Sequence, residues 1–445
     1  VVDEGGEDRR RAPEKSVLHE AFRRGWPEVS SSMPTRVKRE GERFLTCGDV
    51  RAGFVEVACE SCSESRLVAF SCKGRGWCPS CTTRRALDTG VRLESLLPRV
   101  AHRQWTLSLP FSVRFQVVKK PTLLKRLEVR LVKAVWRWQR REARRHGATG
   151  ALTGGAICFW QWFGSSLQLT PHLHLVVAEA QWGEDGTVAP VAAPSDEDVA
   201  RILARVLSQA KKDWAWLENV WPEDDFEELQ ARAIQERLGL AEPPQRRHHP
   251  RRVAVRDGFS VHADTAVHGN DRQGLERLCR YGARGAVAES RLRRLDDGRY
   301  EYSPKKGTTF TVTAAALVRR LVALLPPERL HLTSFHGGYA PNASLRPRIT
   351  QPLAPSQPAP MPSATPATKV SAPAKPTRPR LDWAQLHQRT FGTDVLRCPC
   401  GGRRTIRRLH STRKLAEARL TELGVTLPSR VLPPATAPPQ LSLSM

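Results

Sequence analysis

Two histidines flank one leucine in His172-Leu173-His174. On a β-strand, residues i and i+2 point to the same side, so both imidazoles can reach one divalent metal. A tyrosine brought to that metal becomes a nucleophile able to break a phosphodiester bond. Tyr281 is the candidate, in the Arg-flanked segment Arg277-Leu278-Cys279-Arg280-Tyr281-Gly282-Ala283-Arg284. The default reading of a tyrosine on an apolar helix face is a core residue with a bonded hydroxyl. Tyr300 and Tyr302 read as structural, and Tyr339, beside His336, is the rival nucleophile. His262, His268 and His336 read as polar or structural residues.

The cysteines offer a second chemistry. Cys59-x2-Cys62 and Cys78-x2-Cys81 lie fifteen residues apart. That is two-knuckle spacing, which puts four thiolates around one tetrahedral, structural zinc. A redox CxxC is the weaker rival, because two pairs are present and no βαβ pattern surrounds them. Cys47 reads as a buried small residue and Cys72 is left open. Lys73, Arg75, Arg84 and Arg85 surround the module and would grip DNA phosphates. Cys398-Pro399-Cys400 resembles half a knuckle that would need His387, His410 or another chain to complete it, so an accessory basic DNA contact is the modest reading there.

The 445 residues carry 71 Lys+Arg against 45 Asp+Glu, a net charge of +26. Such a field attracts polyanions, and the excess of Arg suits bidentate phosphate contact and base stacking. Twelve Trp sit among these charges, most of them expected in cores. No segment approaches the ~20 apolar residues of a membrane span, and no secretory signal opens the chain. The expectation is a cytoplasmic, nucleoid-associated protein with reduced cysteines. The first residue is Val rather than Met, which points to a start further upstream.

These groups need elements to position them. Gln104–Ser108 alternates as a strand closed by Pro110. Residues 122–146 form a helix whose Leu124, Leu127, Leu131, Val135 and Trp138 make one stripe. Ala156–Phe163 and His172–Val177 read as an antiparallel pair with the histidines on the second strand. Further helices are expected over 195–217, 271–283 and 314–325, and a hairpin over 291–313. The expected organisation is a flexible tail over 1–40 with one short helix near Val17–Arg24, and a zinc module over 41–90. A nuclease domain follows over 95–345, with a helical insertion at about 180–260. A Pro/Ala-rich linker spans 346–380, a small basic piece 381–426 and a Pro-rich tail 427–445.

In order along the chain stand Phe44-Leu45-Thr46-Cys47-Gly48, Ser71-Cys72-Lys73-Gly74-Arg75-Gly76 with Cys78-Pro79-Ser80-Cys81, and Arg103-Gln104-Trp105-Thr106-Leu107-Ser108-Leu109-Pro110. After them come Pro171-His172-Leu173-His174, Leu275-Glu276-Arg277-Leu278-Cys279-Arg280-Tyr281, and Phe335-His336-Gly337-Gly338 with Ala340-Pro341-Asn342. On these six blocks, over about 44–345, the sequence resembles the rolling-circle transposases of the insertion-sequence-91 family, within the HUH (His, hydrophobe, His) endonucleases. The resemblance implies an α+β fold: an HUH-type antiparallel sheet flanked by helices, preceded by a zinc-ribbon-like module and followed by a flexible Pro-rich tail. It implies His172 and His174 as metal ligands, with Gln161 as the third and Gln168 as its rival, and Tyr281 as the catalytic tyrosine. Family members with two nucleophiles carry a second tyrosine four residues on; here that position is Gly285, which resembles the single-tyrosine, common-region-like branch.

The implied cofactors are Mg2+ or Mn2+ at the catalytic site and Zn2+ in the module. The implied activity is nicking and rejoining of single-stranded DNA at element termini and target through a 5′-phosphotyrosine, with Arg280 or Arg284 offsetting developing charge. A plasmid replication initiator or relaxase would share this chemistry, and a non-catalytic zinc DNA-binding protein is the third reading. No membrane partner is implied.

Overall fold

The computed structural model describes residues 13–214, 223–235, 251–350 and 381–425. The expected Pro-rich tail, most of the linker and most of the basic Arg246–Arg252 run lie outside the described residues.

The N-terminal region is helical rather than a loose tail. α1 (Val17–Ser30) and α2 (Thr35–Leu45) precede β1 (Phe54–Cys59), β2 (Ser65–Ala69) and α3 (Pro79–Leu96). Leu18, Ala21, Phe22, Trp26 and Val29 bury one helical stripe of α1. The interspersed charges make that stripe hard to see in sequence. Ser16 caps α1, its hydroxyl accepting from the His19 amide.

The central body is an antiparallel sheet. β3 (His102–Ser108) leads through α4 (Phe111–Lys119) and α5 (Pro121–Arg145) to the long strands β4 (Thr153–Phe163) and β5 (Leu169–Trp182). Next come β6 (Val188–Pro190), α6 (Asp196–Trp214), α7 (Asp225–Gln235), β7 (Val253–Arg256), β8 (Phe259–His262) and β9 (Ala266–Val267). Then follow α8 (Arg272–Gly282), a small sheet of β10 (Leu292–Arg294), β11 (Tyr300–Tyr302) and β12 (Phe310–Val312), and α9 (Ala314–Ala323), β13 (Thr333–Gly337) and α10 (Arg346–Ile349).

The main sheet runs β13-β4-β5-β3-β8-β7, with β6 on β5 and β9 on β3. β7 and β8 therefore belong to this sheet, and the expected insertion at about 180–260 is helical only in α6 and α7 among its described residues. The small sheet has three strands where a hairpin was expected.

Strand alternation sorts the core into two layers. Leu173, Leu175 and Val177 pack with Leu127, Leu131 and Trp138 of α5. Val176, Ala178 and Ala180 pack with Leu275, Leu278 and Cys279 of α8 and with Leu93 and Leu97 from α3 and its end. The result is a sheet covered by helices on both faces. Glu128 of α5 ties the sheet from inside: it accepts from Trp160 Nε1 at 2.7 Å, and its other oxygen lies 2.6 Å from both Lys125 Nζ and His336 Nε2.

The C-terminal piece comprises α11 (Trp383–Phe391), β14 (Arg404–His410) and α12 (Arg413–Glu422). β14 pairs antiparallel with β1, so a strand from the end of the chain completes the N-terminal sheet in the order β14-β1-β2.

Candidate functional site

The register of β4 and β5 sets Gln161 opposite His172 and Phe159 opposite His174. On the other edge, β3 sets Thr106 opposite His174 and Ser108 opposite His172. The two imidazole centroids lie 5.0 Å apart.

Each ring has its Nδ1 occupied. His172 Nδ1 lies 2.8 Å from the Thr170 carbonyl, which only accepts, so this nitrogen carries the proton and Nε2 carries the lone pair. His174 Nδ1 lies 2.9 Å from the Gln104 amide and 3.0 Å from the Thr106 hydroxyl. Burial holds both rings neutral. His174 is pushed down to about 3 by desolvation, with His172 and Arg284 adding to the effect. His172 is lowered by desolvation first and then by the nearby Arg284 and Arg114 guanidinium groups.

α8 brings Tyr281 over this pair. Asp271 caps the helix, accepting from the Gly274 amide at 2.7 Å. At the other end, Gln161 Nε2 donates to the carbonyls of Tyr281 at 2.8 Å and Gly282 at 3.0 Å. Two carbonyl acceptors fix the amide orientation and leave Gln161 Oε1 directed elsewhere. Gly282 allows the close approach: a Cβ there would sit 2.5 Å from the Phe159 ring. The Tyr281 ring centroid is 5.4 Å from that of His174, and 46% of the residue is exposed. The Arg284 guanidinium lies 4.7 Å above the Tyr281 ring and 5.0 Å from that of Phe163.

Two atoms stand out. Nε2 of His174 and Oε1 of Gln161 are buried with no hydrogen-bond partner. Buried polar atoms are normally satisfied, and orphaned ones call for an explanation. With His172 they are two nitrogens and one oxygen of the kind that could hold a divalent cation.

The rivals are engaged elsewhere. Gln168 Oε1 accepts from the Ser166 amide in the β4–β5 turn. Tyr339 is fully buried with its hydroxyl 2.9 Å from His102 Nε2, and burial pushes its phenol well above the ordinary value. Tyr300 and Tyr302 are buried in the small sheet. Gly285 packs on the zinc-module helix, where an added Cβ would meet Thr82 Oγ1 at 2.5 Å. The sequence reading missed Arg114, whose place beside His172 comes from the chain turning back after β3.

The expected single zinc site is corrected. Cys59, Cys62, Cys78 and Cys81 do not converge on one point. Cys47, Cys72, Cys78 and Cys81 form one quartet, and Cys59, Cys62, Cys398 and Cys400 form another, the ligand atoms of each lying within 4.8 Å of one another. Cys47, read as a buried small residue, is indeed buried, with its sulfur 3.6 Å from that of Cys78 and 3.8 Å from that of Cys81. Cys72, left open, lies 3.4 Å from Cys81. Neither histidine considered for the C-terminal half-knuckle takes part: His387 Nδ1 faces the Thr393 carbonyl and His410 Nε2 lies 3.6 Å from Glu56.

The basic residues of the module are partly committed to holding it. Arg85 donates to the carbonyls of Lys73 and Gly74, Arg75 to that of Leu330, and Arg84 to the Ser71 hydroxyl. Lys73, Arg84 and Arg85 still line a groove against Trp383 and Leu386 of α11. Arg280 is exposed on α8. On α5, a row that the sequence reading took only as a polar face, Arg137, Arg140, Arg141, Arg144 and Arg145, lines an open groove.

A zinc-type thiol module joined to a sheet that carries paired histidines beside an exposed tyrosine belongs with DNA-processing enzymes of the transposase class. Residues 19–109 match the "Transposase zinc-binding domain" family and residues 155–346 match the "Putative transposase" family. The chain is 25% identical over 340 residues to "Putative transposase y4qJ" of Sinorhizobium fredii, a span covering 74% of this chain and 80% of that protein. No solved structure matches. Two regions of the chain thus resemble transposases, the first of them through a transposase zinc-binding domain. The Cys47 quartet lies wholly within the matched zinc-binding region, which supports a structural zinc there. Among the described residues no helix is long and apolar enough to cross a membrane.

Proposed function

We propose that this transposase nicks and rejoins single-stranded DNA at the ends of a mobile element, in rolling-circle fashion, through a 5′-phosphotyrosine on Tyr281. The observation that carries the reading is the pair of buried, unpartnered atoms His174 Nε2 and Gln161 Oε1 beside an exposed tyrosine ring.

In this reading His172, His174 and Gln161 hold Mg2+ or Mn2+, which when bound polarises the scissile phosphate. Tyr281 attacks phosphorus in line and gives up its phenolic proton to solvent. The bond to the 3′ oxygen breaks, that oxygen takes a proton from solvent and leaves as a free 3′-hydroxyl, and a phosphotyrosyl bond forms. The phosphodiester energy is retained, so a later 3′-hydroxyl reseals the strand without nucleotide hydrolysis. Arg284, stacked on the ring, offsets charge as it develops on the phosphate. The Gln161 amide fixes the end of α8 and so the position of the ring.

Arg280, Lys73 and the α5 arginine row supply phosphate contacts along a longer DNA path. Affinity for single strands then falls with salt, with a log–log slope of about −0.7 per phosphate neutralised. The expected place of action is the cytoplasm, beside the nucleoid.

The test is a labelled single-stranded terminus oligonucleotide incubated with Mn2+ and analysed by mass spectrometry. The wild type forms an adduct on the peptide carrying Tyr281. Tyr281→Phe binds the oligonucleotide equally and forms none. An adduct at wild-type yield in that variant rejects the reading.

A further inference from the structure

The second cysteine quartet lies partly outside both matched family regions. Cys59 and Cys62 come from the end of β1 and the turn after it, and Cys398 and Cys400 from the turn before β14, more than three hundred residues later. We propose that these four cysteines hold a second structural zinc, which fastens the C-terminal piece to the N-terminal domain.

Thiol geometry is the first argument. Cys59 and Cys400 sulfurs are 3.5 Å apart, and Cys62 and Cys398 sulfurs are 3.6 Å apart. A disulfide needs about 2.0 Å, and all four are free thiols. Zinc–sulfur bonds of about 2.3 Å in a tetrahedron set the sulfurs about 3.8 Å apart. The observed separations approach that edge length.

Backbone shape is the second. Each pair sits in a tight turn aimed at the other. Ser63 adopts φ 61° after Cys59-x2-Cys62, and its amide donates to the Cys59 carbonyl. Gly401 adopts φ 87° after Cys398-Pro-Cys400, and its amide donates to the Cys398 carbonyl. Backbone amides also point at the sulfurs: Ser61 N–H donates to Cys59 Sγ and Gly402 N–H to Cys400 Sγ, each at 3.4 Å. A Cβ at Gly402 would sit 2.9 Å from Cys59 Sγ, so glycine there lets the two turns close.

Stability is the third. Among the described residues, the apolar core joining the piece to the N-terminal sheet has only Phe54, Ala416 and Leu420 as buried members. So small a core does not secure a separate piece of chain, and structural metal commonly makes up the deficit. The fastened piece reaches the catalytic domain: α11 lines the groove with Arg84 and Arg85, and Arg389 lies 3.3 Å from Glu276, five residues before Tyr281 on α8. As each zinc–sulfur bond forms, the thiol releases its proton to solvent.

The test uses the full chain. Zinc per chain is measured by mass spectrometry under non-denaturing conditions. Two zincs are expected in the wild type and one in Cys398→Ser/Cys400→Ser. One zinc in the wild type, unchanged in that variant, overturns the proposal, as do two zincs in both. A second measurement needs no variant. Cys62 and Cys400 are exposed, so without metal they alkylate as free thiols. In the zinc-loaded wild type they stay unreacted until a chelator is added. Rapid labelling of both in the zinc-loaded protein also overturns the proposal.

Discussion

The side-chain amide of Gln161 donates to the backbone carbonyl of Tyr281 at 2.8 Å. One residue on the central sheet therefore fixes the end of the tyrosine helix while its oxygen remains free beside the histidines. Gln161→Glu keeps an oxygen donor but loses the N–H groups that satisfy Tyr281 and Gly282. Its nicking rate is expected to fall about 10- to 100-fold, the range seen when groups supporting a metal site are altered. Gln161→Ala removes both functions and is expected to fall further, with a raised Mn2+ requirement. Single-turnover nicking across a Mn2+ titration measures both, and wild-type behaviour of Gln161→Ala would exclude it as a ligand.

The Arg284 guanidinium sits 4.7 Å from the centroid of the Tyr281 ring. Lysine keeps the charge but not the planar stacking. Arg284→Lys is expected to slow adduct formation about tenfold, a barrier change of about 1.4 kcal/mol, and Arg284→Ala more. Oligonucleotide binding at fixed salt, measured alongside, separates this from lost affinity: a rate loss that disappears at saturating DNA assigns Arg284 to binding alone.

Gly285 stands where a second tyrosine would be. Its missing side chain leaves room for Thr82 of α3. Gly285→Ala is expected to destabilise by about 1–3 kcal/mol through overpacking, read as a lower urea midpoint with an unchanged slope. Gly285→Tyr is expected to lose stability further and to yield no second adduct on peptide mapping.

Glu128 is held at about 2, against the usual carboxylate value of 4.5. Desolvation alone would raise it, but His336, Lys125 and Trp160 together outweigh that. A depressed folded value means the contribution is fully present above about 4.5 and is lost as pH falls from there towards 2. The shift corresponds to roughly 3 kcal/mol. Glu128→Gln is expected to be markedly less stable than the wild type at pH 7, with the gap narrowing below pH 4.5. Urea unfolding of both proteins from pH 7 to pH 3 measures it, and a constant gap would contradict the linkage.

Much of the site's local frame was legible in the residue order. The helix of residues 122–146 emerges as α5 because its apolar stripe repeats at helical spacing, and the β4–β5 pair because a Gly-Ser-Ser break separates two β-rich runs. α1 was legible only in its first half, near Val17–Arg24, and α2 was not, since interspersed Arg and Glu mask an apolar stripe when no partner surface is known. β7 and β8 read as part of an insertion because four-residue strands carry little periodic signal, and pairing with β3 is what defines them.

Local order determined that His172 and His174 share a strand face, because a two-residue period is a property of the backbone. It also determined that Tyr281 lies on a short basic helix, and that the cysteines come in closely spaced pairs. Which pairs converge into one quartet was decided only by folding. Cys59 and Cys62 meet Cys398 and Cys400 because β14 closes on β1, a contact across most of the chain that no local pattern encodes. The same holds for the choice between Tyr281 and Tyr339: both are tyrosines beside polar residues, and tertiary packing exposes one above the imidazoles and buries the other against His102.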